Sequence, residues 1–455
     1  MIEKRTTRSN LGSGSSPAWQ RIVLSLGSIL IFSFLPLNAA VAQSDAKRAD
    51  LSASTPSPEA VRRAITLAAG YLERACGPDG KFVYKVNLAS GRESPSYDII
   101  RHAGAMYALA MLNQSQPDPQ AVAAMIRAAA FLRQNYIGPG VRPGQQVVWS
   151  QPLAESPEGR HSKPRERYAE LGGTGLGLVA LAAARQVDPK SVPLEELQAM
   201  GRFALFLQRD DGSFIQKYRA EGGPVANWVS LYYPGEAALG FIALHQADHS
   251  SEWLTAAGKA LSYLAKSRAG LTIVPADHWA LIATAKLLPY CDRGGCGVSR
   301  EELLQHAAQI CNSILREQFR GSAAVGLDGA FDPTGRTAPT ATRLEGLLAA
   351  LECLPKGELR SKIEAATERG VGFLVRAQVA SGPQAGGLPG VIATRARDVS
   401  EIRIDYVQHA LCAWLRYQRV SLYLRKPDRS KDRHPRAGSP RTVGLHSGDS
   451  GSYLS

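Results

Sequence analysis

Apolar positions fall into two kinds of helical pattern that alternate along the chain. In one kind they recur every three to four residues, as in Ala60–Cys76, where Val61, Ile65 and Leu72 share one face, which is typical of an amphipathic helix. The other kind opens with ionisable or aromatic residues and continues with Ala, Gly, Leu and Ile on every side, which indicates a fully buried helix. The buried kind occurs in six stretches, which are Tyr97–Ala110, Glu170–Ala184, Tyr232–Ala247, Asp277–Leu288, Thr340–Leu354 and Asp405–Tyr417.

The two kinds of helix form a repeating unit. An amphipathic helix ends in an aromatic–Leu pair, a loop with glycine follows in the clearest copies, and then a buried helix begins. Such repetition is the mark of one architecture built from stacked helical hairpins. The sequence therefore predicts an all-α fold over residues 59–423, an (α/α)6 toroid of six inner and six outer helices.

The loop after one amphipathic helix carries a family resemblance. The stretch from Phe203 to Phe214 contains Gln208 and Gly212, and it resembles the glutamine–glycine–aromatic repeat of the terpenoid cyclase and protein prenyltransferase superfamily. Phe214 stands where that repeat prefers Trp. Less complete copies lie at residues 315–331 and 373–388. The resemblance implies an α/α toroid, and six-hairpin-like α/α barrels also serve glycoside hydrolases, polysaccharide lyases and sugar epimerases, so it does not select a chemistry.

The two ends of the chain differ in composition from the repeating region. Basic residues precede an apolar run from Ile22 to Leu35, and Ala40–Ala42 forms a small-x-small cleavage pattern, as in a secretory signal peptide. We predict a signal peptide at 1–42, with a membrane anchor as the alternative, a flexible lead-in at 43–58 and a disordered basic tail at 424–455. The expected location is extracytoplasmic, either periplasmic or secreted, with no stable membrane span after cleavage.

Charge narrows the choice of partners. The net charge is +13, but the two terminal segments hold part of the excess, so the helical region is only mildly basic. It lacks the concentrated basic stripe of a nucleic-acid-binding protein, and we expect no nucleic acid partner. A polar or acidic polymer, or a small-molecule substrate, fits better. The oligomeric state is not predicted.

Cysteine spacing suggests one disulfide. Of six cysteines, Cys291 and Cys296 flank a short glycine-containing loop, and oxidation is favoured outside the cytoplasm. A metal site with Cys311 and His306 is the alternative, but the spacing lacks the CxxC pairs of zinc sites. We therefore expect a Cys291–Cys296 disulfide, no metal and no cofactor.

Ionisable residues concentrate at the starts of the buried helices. Parallel inner helices place their N-termini at one rim, so these side chains are expected to converge on one cavity, where free N–H groups favour anionic groups. The candidate catalytic residues are Asp98, His102, Glu236, Asp277, Asp405 and His409. The candidate substrate-binding residues are Arg101, Tyr232, Tyr233, His278, Trp279, Arg343 and Glu345.

Two of these stretches share an Asp-x-x-x-His-Ala pattern, in which Asp98 precedes His102 and Asp405 precedes His409. Four residues make about one helical turn, so each Asp and His can share a face. Three interpretations remain open: acid–base catalysis, a metal held by two Asp and two His, or structural bonds that fasten the seam of the ring. The pattern predicts that both histidines lie near one cavity, each within reach of a carboxylate.

Export and a polar cavity favour a protein that acts on or binds a carbohydrate or another polar polymer, with hydrolase, lyase or epimerase acid–base chemistry. A cyclase- or prenyltransferase-like enzyme of apolar substrates is one alternative, supported by the repeat alone. A non-enzymatic binding scaffold is another. Whether the protein is an enzyme stays open at the level of sequence.

Overall fold

The computed structural model describes residues 55–153, 166–321, 326–392 and 401–424. The predicted signal peptide, most of the lead-in and the basic tail from residue 425 lie outside these residues and stay predictions. Six inner and six outer helices alternate along the described parts of the chain. The outer helices are α1 (Pro58–Ala75), α3 (Pro119–Tyr136), α5 (Leu194–Leu207), α7 (Ser251–Arg268), α9 (Arg300–Leu315) and α11 (Glu358–Ala377).

The inner helices form a closed ring, which confirms the (α/α)6 toroid. They are α2 (Ile99–Ser115), α4 (Leu171–Val187), α6 (Tyr233–Asp248), α8 (His278–Cys291), α10 (Thr337–Ala350) and α12 (Ile404–Leu424). Each packs against the next inner helix, and α12 packs against α2. Several helices begin at capping residues visible in the sequence, such as Asp98 before α2 and Asp277 before α8, whose carboxylates accept hydrogen bonds from free N–H groups of the first turn.

Short antiparallel strands join the loops at the rim where the inner helices begin. β1 (Lys85–Asn87) pairs with β7 (Glu401–Arg403), so the loops before α2 and α12 are tied together. The other strands form a β2–β3 pair and a β4–β5–β6 sheet. They are β2 (Ile137–Pro139), β3 (Gln146–Val148), β4 (Tyr168–Glu170), β5 (Lys217–Arg219) and β6 (Gly223–Pro224). The all-α prediction omitted these strands because two or three residues carry no measurable alternation.

Glycines allow α4 and α6 to pack backbone against backbone. A Cβ placed on Gly175 would lie 2.6 Å from the backbone carbon of Glu236, and one on Gly240 would lie 2.8 Å from the carbonyl oxygen of Gly175. Both distances are shorter than any real contact, so neither position accepts a larger residue without moving a helix. This close approach brings Glu236 into the ring.

The glutamines and glycines of the repeat loops fasten each outer helix to the next one. Gln208 Nε2 donates to the carbonyl oxygen of Ala256 in α7 at 3.0 Å, and Gly212, at φ +89°, packs against Lys259 one turn further along. Cys76 replaces the glutamine in the first copy, its thiol lying 3.4 Å from the Ala124 oxygen. The equivalent bonds run from Gln318 to Ala366 and from Gln378 to Ala64.

Gly212→Ala should destabilise the protein by on the order of 3 kcal/mol, since it combines overpacking with a left-handed backbone. A Cβ there would lie 2.2 Å from the Lys259 carbonyl oxygen. Gly91 supplies the control, because its φ is +67° with no atom within 4 Å, so Gly91→Ala should cost only about 1 kcal/mol. Urea unfolding measures both. If the two variants lost equal unfolding free energy, the steric contact of residue 212 with α7 would contribute nothing beyond the cost of the left-handed backbone.

Cys291 and Cys296 form a disulfide at the end of α8, as their spacing predicted. Cys311, the proposed partner in a metal site, is a buried free thiol. None of the described helices is both long enough and apolar enough to cross a membrane.

Candidate functional site

The first turns of the inner helices surround a cavity of about 380 Å³, within the range of small-molecule sites. The predicted convergence of the helix N-termini is therefore confirmed. The predicted residues that line the cavity are Asp98, Arg101, Tyr232, Tyr233, Glu236, His278, Trp279, Arg343, Asp405 and His409.

Two imidazoles face each other in this cavity. The ring centroids of His278 and His409 lie 5.3 Å apart, and the ring planes are inclined at 78°. Nδ1 of His409 lies 2.5 Å from a carboxylate oxygen of Glu345, which is fully buried. Because a carboxylate only accepts hydrogen bonds, this contact places the proton of a neutral His409 on Nδ1 and leaves Nε2 unprotonated.

His278 has no polar partner on either ring nitrogen among the described residues, although its side chain is only 1% exposed. It packs between the rings of Tyr232 and Trp279, each with its centroid 4.9 Å away. Burial, followed by the charges of His409 and Arg343, lowers the pKa of His278 well below its ordinary value. His278 is therefore neutral at pH 7, with a nitrogen free to accept a proton.

Glu236 is a buried carboxyl group in the wall of the cavity. Its Oε2 has no hydrogen-bond partner within the described part of the chain. Burial, with smaller contributions from Asp277 and Asp98, raises the pKa of Glu236 to about 8, so it carries a proton at neutral pH. A Cβ on Gly172 would lie 2.2 Å from this oxygen, so that glycine leaves the space that the carboxyl occupies.

An ion-pair network closes the rim between α2 and α12. Asp405 accepts from Arg403 at 2.7 Å and from Arg101 Nε at 3.1 Å, while Asp98 caps α2 and pairs with Arg101. Burial alone would raise the pKa of Asp405, but the hydrogen bond from Arg403 and the charge of Arg101 outweigh burial and lower it. Asp405 is thus a rim anchor and a poor general base.

The structure contradicts the prediction for His102. This side chain is fully buried and points away from the cavity, with Nε2 2.9 Å from the Ala128 carbonyl of α3 and Nδ1 2.7 Å from the Tyr97 hydroxyl. Neither Asp-x-x-x-His pair forms its expected internal bond, because both aspartates bind arginines and His409 binds Glu345. The histidine seam and the metal site of two Asp and two His are therefore wrong.

Asp277, predicted as a catalytic residue, does not reach the cavity. It is fully buried, caps α8 through the Ala280 N–H and pairs with Arg268 of α7 at 2.8 Å. It is absent from the described lining of the cavity and serves the scaffold. Glu345 does not line the cavity either, but it acts there through His409.

The cavity also includes residues that the sequence did not single out, among them Arg336, Thr342 and Gln408. Arg336 was missed because α10 begins at Thr337, three residues before its predicted start.

His278, Glu345 and His409 could also hold a metal ion. One potential ligand atom from each lies within 4.8 Å of the others, and two imidazoles with a carboxylate suit a divalent first-row metal. The contact of His409 with Glu345 competes with this arrangement, because a bound cation would displace the proton that the two share.

No protein-family model and no curated protein sequence matches the chain, but solved structures share its fold. Cellobiose 2-epimerase from Bacillus thermoamylovorans superposes with a TM-score of 0.58 at 11% identity, over 79% of this chain and 98% of that chain. A D-mannose isomerase gives 0.57 at 11%, over 80% and 99%. An unsaturated glucuronyl hydrolase specific for heparin gives 0.54 at 11%, over 80% and 99%. At these identities the likeness shows the fold alone, which is an α/α toroid.

Proposed function

We propose that the protein is a carbohydrate epimerase or isomerase that moves a proton at the carbon beside a sugar carbonyl. The observation that carries the proposal is the pair of facing imidazoles, His278 and His409, in one cavity of small-molecule size. Similar folds that act on sugars by epimerisation and isomerisation support it.

The two imidazoles divide the proton transfer between them. Neutral His278 takes the proton from the carbon next to the carbonyl, the C–H electron pair forms the double bond of an enediolate, and the C=O π pair moves onto the carbonyl oxygen. In epimerisation His409, protonated in this step and held by Glu345, gives a proton to the opposite face of that carbon, and the carbonyl re-forms. In isomerisation the proton goes to the former carbonyl carbon, while the proton of the neighbouring hydroxyl passes to the former carbonyl oxygen and the new carbonyl forms. The reverse reaction exchanges the two roles.

The remaining lining residues suit a sugar. Trp279, Tyr232 and Tyr233 offer ring faces on which the apolar face of a sugar can stack, and Arg101 and Arg343 provide donors for hydroxyl or carboxylate oxygens at the helix N-termini. A cyclase of apolar substrates would need a wall of aromatic side chains instead. We further propose that the reaction takes place outside the cytoplasm, as the N-terminal sequence suggests.

A second candidate is hydrolysis, favoured by Glu236. A carboxyl group that stays protonated at neutral pH can protonate a leaving oxygen or an unsaturated sugar, as glycoside-cleaving enzymes require. The unsaturated glucuronyl hydrolase among the similar structures fits this chemistry.

Incubation with reducing sugars and unsaturated uronides in D2O separates the candidates. The proposal expects an epimer or ketose with deuterium at the carbon beside the carbonyl, detected by NMR and mass spectrometry. Cleavage of the glycosidic bond, with no epimer or ketose formed, would favour hydrolysis. The absence of any turnover across the panel would overturn both and leave a binding scaffold.

The same assay with a chelator tests the metal alternative. We expect turnover to survive EDTA, because the carboxylate of Glu345 is already engaged by His409. Activity lost on chelation and restored by Zn²⁺ or Mn²⁺ would replace the two-imidazole mechanism with metal-assisted chemistry.

A further inference from the structure

A second and larger cavity lies at the opposite end of the inner ring. Its volume is about 660 Å³, and the later turns of α2, α4, α6, α8 and α12 line it. It shares no lining residue with the first cavity among the residues that the structure describes. The mechanism proposed above uses none of its side chains.

The charged side chains that line this second cavity are all basic among the described residues. Four described lining residues are basic, namely Arg185, Lys286, Arg416 and Arg419, and none of the described lining residues is acidic. Glu352 lies behind the wall and pairs with Arg416 at 2.8 Å and with Arg419. The C-terminal dipoles of the inner helices offset part of the remaining charge, but one carboxylate against four cations leaves an excess of positive charge.

Arg416 is buried but incompletely paired. Its side chain is 2% exposed, with Nη1 bonded to Glu352 and Nη2 bonded to the Tyr107 hydroxyl at 3.0 Å. Its Nε–H has no acceptor among the described residues. An N–H of a charged group costs free energy when it is buried without an acceptor. The Nε–H of Arg416 therefore favours the binding of a ligand that brings an acceptor.

Lys286 provides a second unpaired cation in the same wall. It is largely buried, and no ion pair or hydrogen bond engages its ammonium group within the described residues. Burial, followed by the charge of Arg416, lowers its pKa. A cation held in such surroundings is costly unless an anion accompanies it.

We propose that this cavity binds a small organic anion, a carboxylate or a phosphate ester, between Lys286 and Arg416. The adjoining parts of the wall, on α2 and α6, are apolar, with Met111, Leu239 and Ile242, so they suit a ligand with a carbon skeleton. The chain's own tail is a poor occupant, because residues 425–455 are themselves predominantly basic. The site is separate from the sugar cavity, and the proposal does not depend on the proposed function.

Calorimetric titration of the full chain with citrate, and separately with inorganic phosphate, tests the proposal. We expect at least one probe to bind with a Kd below about 1 mM. Lys286→Met, which keeps an unbranched side chain but removes the ammonium group, should weaken that binding at least tenfold. The same variant should raise the melting temperature of the ligand-free protein, because it removes an unpaired buried charge.

Two controls locate the binding. Arg300→Gln removes a basic group that is already paired with Asp292 at the surface, and it should leave the affinity unchanged. His409→Ala alters the sugar cavity alone and should also leave it unchanged. Failure of both probes to bind, equal losses in the Lys286 and Arg300 variants, or loss of binding in His409→Ala would each overturn the proposal. None of these outcomes depends on turnover of a sugar.

Discussion

His409→Ala is expected to lower kcat/KM for the sugar substrate by about 10³-fold, within the range for loss of one general acid–base group. His409 is the imidazole whose orientation and proton are fixed by Glu345, at 2.5 Å. Without His409, no group donates a proton to the opposite face of the carbon that His278 has deprotonated. Steady-state kinetics, with deuterium exchange into substrate measured in parallel, gives the result. Exchange that continues while epimer formation stops would identify His278 as the first base.

His102→Ala is the matched control for that variant. It removes a buried imidazole outside the cavity that bonds to Tyr97 and Ala128, so it should lose about 1–3 kcal/mol of stability while the folded protein keeps its kcat. His409→Ala should lower the melting temperature as well, because it leaves the buried carboxylate of Glu345 without a partner, so the two variants are separated by their kcat. If His102→Ala lost activity at a temperature where it remains folded, the assignment of the two histidines would be wrong.

Glu236→Gln should make the protein more stable than the wild type above pH 8. The pKa of Glu236 is raised to about 8 from an ordinary 4.5, so the folded state holds this proton more tightly than the unfolded chain. The stability that this proton confers is complete below about pH 4.5 and declines as pH rises through 8. At about 1.4 kcal/mol per pKa unit, the loss is on the order of 5 kcal/mol. Glutamine keeps the shape and stays neutral, which removes this loss.

Urea unfolding at pH 5 and pH 9 measures the effect. The variant and the wild type should be close in stability at pH 5 and differ at pH 9. Glu358→Gln, at the exposed start of α11, is the control and should follow the wild type at both values. If Glu236→Gln lost as much unfolding free energy between pH 5 and pH 9 as the wild type does, other groups would cause the pH dependence.

The sequence by itself determined the architecture. Helices that are apolar on every side alternate with amphipathic helices. Both kinds bury their apolar surface when the apolar helices form an inner ring and the amphipathic helices surround it. Ionisable residues at the starts of parallel helices must then meet at one rim. The predicted starts of all six inner helices fall within three residues of the observed ones, because capping residues and prolines mark those positions locally.

Only the tertiary structure decided which way each buried side chain points. In an amphipathic helix the polar face points to solvent, so the sequence shows which face is buried. An inner helix such as α2 is apolar on every side, so its sequence does not show which side chains face the cavity. His102 of α2 bonds to Ala128 in the outer helix α3, whereas His409 of α12 lines the cavity. The two helices are rotated differently about their own axes, so a shared Asp-x-x-x-His-Ala pattern does not give the two imidazoles a shared direction.

Partners across the ring were equally hidden from the sequence. Glu345 meets His409 from a helix 64 residues earlier in the chain, and Arg101 meets Asp405 across a separation of 304 residues. No local pattern encodes such contacts, since they depend on helix rotation and on how closely the backbones approach. The glycines at 172 and 175 set that approach for Glu236. The sequence therefore specified the ring and the composition of its rim, and packing decided which of those residues form the site.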